Sequence, residues 1–184
     1  MSWNYLFESK KDTRHKVFIS YYHDEDEDYR KSFEKLFGHL FINKSVKPGD
    51  IDTDISDEYI KRLIQQEYIT DASVVLVLVG PKTYCRKHVD WEISAGLMKK
   101  VGGYSGLLGL CLPTHPDYSK DKFNPDIVPP RLVANIRSGY AKFYDWTEDE
   151  HKIKKWIEEA FKARIDKADL IDNSLPQFKY NRCE

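Results

Sequence analysis

The most regular apolar pattern in the chain is Ser73-Val-Val-Leu-Val-Leu-Val-Gly80, six consecutive aliphatic residues, mostly β-branched, between Asp71 and the breaker Gly80-Pro81. A run of this length without polar alternation predicts a strand covered on both faces. Downstream, Val89, Ile93, Gly96 and Leu97 repeat at three- and four-residue spacing, which gives a helix a core-facing stripe. Glu92 borders that stripe, near the helix start.

The same reading extends to both ends. Lys16-Val-Phe-Ile-Ser-Tyr-Tyr22 predicts a first strand, and the acidic run 24–28 opens a helix through Tyr29, Phe33, Leu36, Phe37 and Leu40. Carboxylates there oppose the positive pole of the helix dipole, so residues 25–27 read as a solvated helix start. A short second strand is expected near Ser45-Val46, with Pro48-Gly49 turning into an Asp-rich loop over 50–54. Ser56 then caps a helix carrying Tyr59, Ile60, Leu63, Ile64 and Ile69. Gly102-Gly103 stops the Glu92 helix, and the run 107–112 is a fourth strand closed by Pro113. Residues 114–130, rich in Pro, Asp and Asn, form a long loop of the kind that is often functional or mobile. A fifth strand spans 141–146, Thr147 caps a last helix through Ile153, Trp156, Ile157, Ala160 and Phe161, and the tail from 172 to 184 is irregular.

Alternating strands and helices predict an α/β, three-layer flavodoxin-like fold with a central five-stranded parallel sheet in the order 2-1-3-4-5. The carboxyl ends of strands one and three then lie side by side. Ser20, Tyr21, His23, Asp24, the 50–56 loop and the start of the Glu92 helix converge on one crevice. The expected division is an extension over 1–15, a domain over 16–167 and a tail over 168–184.

Composition narrows the partners. The chain has 184 residues, 41% hydrophobic, enough to bury roughly 70% of its unfolded surface as one domain. A net charge of −1, from 29 basic and 30 acidic side chains, gives no reason to expect nucleic acid or a basic membrane patch. No apolar run approaches the roughly 20 residues needed to span a bilayer, and the amino terminus lacks signal-peptide architecture. Cys85, Cys111 and Cys183 are odd in number and far apart, which argues against a disulfide framework and for a reducing cytoplasm. Cys85 and His88 have ligand-like spacing but no second pair, so zinc is not expected. Asp50, Asp52 and Asp54 read as turn chemistry rather than metal ligands. Cys85 lies beside Arg86 and Lys87, yet no base is evident for a nucleophile.

The combination Phe18-Ile-Ser20, Tyr22-His23-Asp24, Lys61-Arg-Leu-Ile64 and Val89-Asp-Trp-Glu-Ile93 resembles the TIR superfamily, and within it the TIR-like (ThsB-type) proteins of the Thoeris antiphage defence system. The resemblance covers about residues 16–146. It implies that Glu92 is the catalytic residue of an NAD-consuming enzyme, with NAD as substrate and no separate cofactor. It also implies self-association or a trigger protein, such as one of phage origin, and a downstream effector reached through a nucleotide signal. Many TIR enzymes carry a basic residue soon after the first strand, where this chain has Tyr21, Tyr22 and His23. Stacking would replace that charge contact.

The chemistry follows from the residues. Cleaving the nicotinamide–ribose bond builds positive charge on the sugar, which an ionised carboxylate stabilises or traps. Nicotinamide leaves as a neutral base, so one carboxylate suffices. Trp91, Tyr21 and Phe18 are candidates to pack on a ring of the substrate, and Ser20 or Ser56 to bond its hydroxyls or phosphate. Hydrolysis and cyclisation both remain open, with the 50–56 loop as the expected movable wall. The competing readings are a non-catalytic TIR adaptor and a receiver-like switch. The switch lacks an acceptor Asp, since Gly80-Pro81 stands at the end of strand three.

Overall fold

The structure is a computed structural model that describes residues 14–45 and 56–183, apart from the side chains of Gln65 and Gln66. The turn expected at Pro48-Gly49, the acidic stretch 50–54 and most of the 1–15 extension lie outside the described residues.

Strands β1 (His15–Ser20), β2 (Phe41–Asn43), β3 (Val74–Val79), β4 (Gly106–Cys111) and β5 (Lys142–Asp145) form one parallel sheet in the order β2-β1-β3-β4-β5. Its helices are α1 (His23–Phe37), α2 (Asp57–Leu63), α3 (Lys87–Gly96), α4 (Pro130–Ser138) and α5 (Glu150–Asp166). The expected order is the observed one.

Period-two alternation in β3 builds both cores. Val75, Val77 and Val79 join Val89, Ile93 and Leu132 on the side of α2, α3 and α4. Val74, Leu76 and Leu78 meet Phe33, Phe37, Ile153 and Ile157 on the side of α1 and α5. All six β3 residues are buried, which explains their unbroken apolar run. The sheet also needs close helix approach: a Cβ on Gly106 would stand 1.9 Å from the Ala160 carbonyl oxygen. Only glycine admits α5 there.

Four expectations need correction. The second strand lies at Phe41–Asn43 rather than near Ser45-Val46, pairing with His15 to Val17. Ser45 instead accepts from the Ile19 amide through its hydroxyl at 2.8 Å, and Val46 lies outside the described residues. The last helix is capped by Asp149, which accepts from the amides of His151 and Lys152, while Thr147 accepts from the Asp149 amide. The 114–130 loop is internally bonded: Asp117 accepts from the Asn124 amide at 2.6 Å and from Lys120 at 3.0 Å, and buried His115 accepts from the Asp117 amide. Helix α4 follows it, a helix the sequence reading had not assigned.

The fourth correction concerns the tail and the cysteines. Residues 172–183 form a strap along α3: Asn173 donates to the Ser94 carbonyl, the Phe178 amide to Asp90, and the Arg182 amide to the Cys85 carbonyl. Cys85 and Cys183, 98 positions apart, are joined as a disulfide with Cα atoms 5.5 Å apart. Sequence distance hid the pairing, because the chain returns to the start of α3 only at its end. Beneath the strap, buried Arg131 makes a bidentate pair with Asp90 and donates to Asn173 and the Pro176 carbonyl. Breaking a buried pair of this kind costs about 3–5 kcal/mol. Among the described residues no helix is long and apolar enough to cross a membrane.

Candidate active site

Parallel pairing sets Ser20 opposite Val77, so β1 ends just short of the carboxyl end of β3. Helix α3 starts beyond that end and runs back over the sheet. Its second turn brings Glu92 to the end of β1, where the Ser20 hydroxyl donates to Glu92 Oε2 at 2.5 Å. Ser20 is fully buried and Glu92 is 6% exposed. Burial pushes this carboxyl up to about 8, the Ser20 hydrogen bond only partly offsets that, and among the described residues no cation contributes.

The next residues form the adjoining wall. Tyr21 is buried, its ring stacks on His23 at 4.3 Å, and its hydroxyl donates to Glu27 at 2.5 Å. Tyr21 also lies within electrostatic reach of Glu92; burial and the Glu27 contact hold its hydroxyl protonated, well above the usual phenol range. His23 lines the exposed side, with its imidazole held below its usual range chiefly by burial of the ring. His88, one turn before Glu92 on α3, is lowered for the same reason and interacts electrostatically with His23. Asp24 is exposed and accepts from the Tyr22 hydroxyl at 2.9 Å. Ser20 thus touches Glu92, Tyr21 lies within its electrostatic reach as part of the core on the α1 side, and His23 and Asp24 are exposed beyond them.

Three other expected site residues are placed differently. Phe18 is 1% exposed and belongs to the core on the α3 side. Trp91 is 2% exposed; its indole N–H donates to the Phe178 carbonyl at 2.8 Å, and Lys61 lies over its ring at 4.4 Å. Successive helix positions are about 100° apart, so the residue beside Glu92 faces the strap. Ser56 caps α2, accepting from the Tyr59 amide at 3.4 Å. Its neighbour Asp57 pairs with Lys87 at 2.8 Å, which ties the start of α2 to the start of α3.

Two residues near the crevice escaped the sequence reading. Asp26, within the run expected to be solvated, is 1% exposed. It accepts from Thr83 at 3.1 Å, and Thr83 in turn accepts from the Gly80 amide at 2.8 Å. A Cβ on Gly80 would lie 2.2 Å from the Asp26 carboxylate, so glycine at the end of β3 makes room for that acid. Burial raises Asp26 to about 6, against the Thr83 hydrogen bond. The second is Arg86, immediately before α3, whose guanidinium lies over the Tyr22 ring at 3.7 Å. It returns a positive charge to the segment after β1 from a distant part of the chain.

Among the described residues no group of three or more His, Cys, Asp or Glu side chains could hold a metal ion. What the end of β1 offers is one buried, weakly partnered carboxyl beside a hydroxyl, with the Tyr21 ring within electrostatic reach.

No curated protein matches this chain. Among solved structures it is similar to the TIR domains of the activated Roq1 resistosome directly recognizing the pathogen effector XopQ, at 15% identity and a TM-score of 0.40, with 82% of this chain and 83% of that one covered. The family described as Thoeris protein ThsB, TIR-like domain, matches residues 18–117, a span from Phe18 in β1 past Glu92 to Asp117 and more than half of the chain. The chain therefore belongs to the ThsB TIR-like family.

Proposed function

We propose that this protein consumes NAD, using Glu92 to cleave the nicotinamide–ribose bond, and that it releases a cyclic ADP-ribose-type signal for a downstream effector in antiphage defence. The observation that carries the reading is the Ser20–Glu92 pair, a carboxyl buried at the carboxyl end of the sheet with no cation beside it among the described residues. Before substrate binds, burial holds the acid well above the usual carboxylate range, at about 8. The nicotinamide ring of NAD is itself cationic, and bringing it near the carboxyl favours ionisation, so substrate binding expels the proton and creates the anion where it is needed. As the glycosidic bond breaks, positive charge moves onto the ribose and the carboxylate stabilises it in a site shielded from water. The Ser20 hydroxyl donates to the charged form and keeps Glu92 turned toward the sugar. Tyr21 and His23 supply a flat wall for a ring. Whether water or another nucleophile of the same molecule captures the sugar decides between a linear and a cyclic product.

An always-active enzyme of this kind would drain a central cofactor, so the isolated chain is expected to rest nearly inactive until self-association or a trigger completes the site. Incubating activated protein with NAD and identifying every product tests the reading, with Glu92→Gln as the control. Loss of nicotinamide release in a well-folded variant supports it; unchanged turnover removes Glu92 from the mechanism.

One observation favours a second reading, a non-catalytic TIR-type adaptor. The Ser20–Glu92 bond joins β1 to α3, and a buried hydrogen bond between two elements is also what a purely structural pair looks like. On that reading Glu92→Gln leaves signalling through partner proteins intact, and NAD is never consumed.

A further inference from the structure

Arg86 stands immediately before α3, the helix that carries Glu92, as a cation without a carboxylate partner among the described residues. Its guanidinium rests on the Tyr22 ring, and its Nε is buried with no hydrogen-bond partner among the described residues. Buried donors are normally paired. Arg164 has a similarly buried Nε, but its Nη1 is anchored to the Gly102 carbonyl at 2.8 Å; Arg86 has no such anchor to a described residue. The charges around it are already engaged. Lys82 pairs with Glu25, Lys87 with Asp57, and Asp24 takes the Tyr22 hydroxyl. The imidazoles of His23 and His88 are each lowered, chiefly by desolvation. The Arg86 guanidinium is thus a permanent charge with no ion pair among the described residues.

Its geometry suits one class of ligand. A planar guanidinium laid flat on an aromatic ring keeps its edge donors in the plane, where they match the oxygens of a phosphate. Arg86 and Glu92 are six positions apart, about 9 Å along the axis of a helix. In a pyridine dinucleotide the diphosphate hangs from the 5′ carbon of the same ribose whose first carbon bears nicotinamide. A carboxyl at the glycosidic bond and a cation just before the start of α3 fit that spacing. We propose that Arg86, held flat on Tyr22, binds a phosphate of the dinucleotide whose nicotinamide ribose is placed at Glu92. The inference rests on the NAD-cleaving reading and names the residue that recognises the anionic half of the substrate. The backbone around Arg86 is pinned for this role, since its amide bonds the Thr83 carbonyl and the strap bonds the Cys85 carbonyl just before it.

Calorimetric titration of the wild-type, Arg86→Gln and Glu92→Gln chains with NAD, inorganic pyrophosphate and nicotinamide riboside separates the possibilities. Arg86→Gln is expected to weaken NAD and pyrophosphate by roughly tenfold to a hundredfold, the usual range for one charge-assisted hydrogen-bonding group. Nicotinamide riboside, which has no phosphate, should bind the two chains alike. Arg86→Lys should recover part of the loss, because it keeps the charge and not the fork. Tyr22→Leu, which removes the platform, should reproduce the selective loss if Arg86→Gln proves unstable. Equal NAD affinity in wild type and Arg86→Gln overturns the assignment while leaving Glu92 in place. Arg86-dependent pyrophosphate binding without any NAD binding by the wild type overturns the dinucleotide itself.

Discussion

Two buried acids flank the carboxyl end of β3, and they are built in opposite ways. Asp26 comes from α1 and is received: Thr83 donates to it, Thr83 is itself locked by the Gly80 amide, and glycine leaves the space the carboxylate fills. Glu92 comes from α3, is more deeply perturbed, and has one hydroxyl for company. A carboxyl whose bonds run back into the sheet clamps α1 to β3. One that has a single hydroxyl as its hydrogen-bond partner among the described residues retains lone pairs for something that is not protein. The difference in partnering, rather than burial itself, is the ground for proposing a structural role for Asp26 and a chemical one for Glu92.

Glu92→Gln and Asp26→Asn should break this symmetry most visibly. The first is expected to fold normally and to lose nicotinamide release by a factor of about a hundred or more, as when a preorganised charge is removed from a reacting centre. The second should keep most of its turnover and lose stability, by about 1–3 kcal/mol for a weakened buried bond. Product analysis and thermal melts on the two variants, run side by side, check both halves. Equal loss of turnover in both would mean that the two acids form one unit.

The pH dependence of stability sharpens the contrast. Both acids have raised folded values, so the native state holds their protons more tightly than the unfolded chain, and their contribution is present at low pH and lost as pH rises. For Asp26 the loss runs from about 4 to about 6, and for Glu92 from about 4.5 to about 8. Denaturant titrations should therefore show stability falling between pH 6 and 8 in the wild type and in Asp26→Asn. Glu92→Gln should flatten that window. A slope that survives in Glu92→Gln would assign it to other groups.

Ser20→Ala is the next step down. Removing the hydroxyl leaves Glu92 without its remaining donor, so its pKa should rise further and the alkaline-shifted form should be harder to ionise. Turnover is expected to fall by about tenfold, in line with one hydrogen bond to a charged group, with the pH–rate profile displaced to higher pH. Trp91→Phe is the smallest change. It keeps the buried ring and removes the bond to the Phe178 carbonyl, so a stability loss of about 1 kcal/mol with unchanged turnover is expected. A large activity loss there would move Trp91 from the strap to the substrate.

The sheet was legible because β3 is buried on both faces and β1 and β4 repeat its pattern, which leaves few topologies once crossovers are right-handed. Glu92 was legible because helical spacing and strand order place it at the crevice without any knowledge of side-chain contacts. Asp26 was not, since a carboxylate in the first turn of a helix has the same local signature whether it meets water or Thr83. Helix α4 carried a readable signal, Pro at its start and Gly139 with φ of 86° just past its end. The Pro-rich stretch before it masked that signal. Trp91, the strap and the Cys85–Cys183 pair depend on contacts some 90 positions apart, and nothing local distinguishes a tail that returns from one that does not. Arg86 belongs to the same class: its meaning comes from Tyr22, on the far side of β2, α2 and β3 in sequence.

The central claim, that Glu92 is an acid kept protonated by burial until a cationic substrate arrives, is tested most directly by following its carboxyl carbon by NMR through a pH titration, with and without a bound NAD analogue. The account predicts a midpoint near 8 in the wild-type protein alone and a clear downward shift in the same wild-type chain when a non-cleavable, cationic NAD analogue is bound. A midpoint near the ordinary glutamate value in the protein alone, unmoved by the analogue, would contradict it.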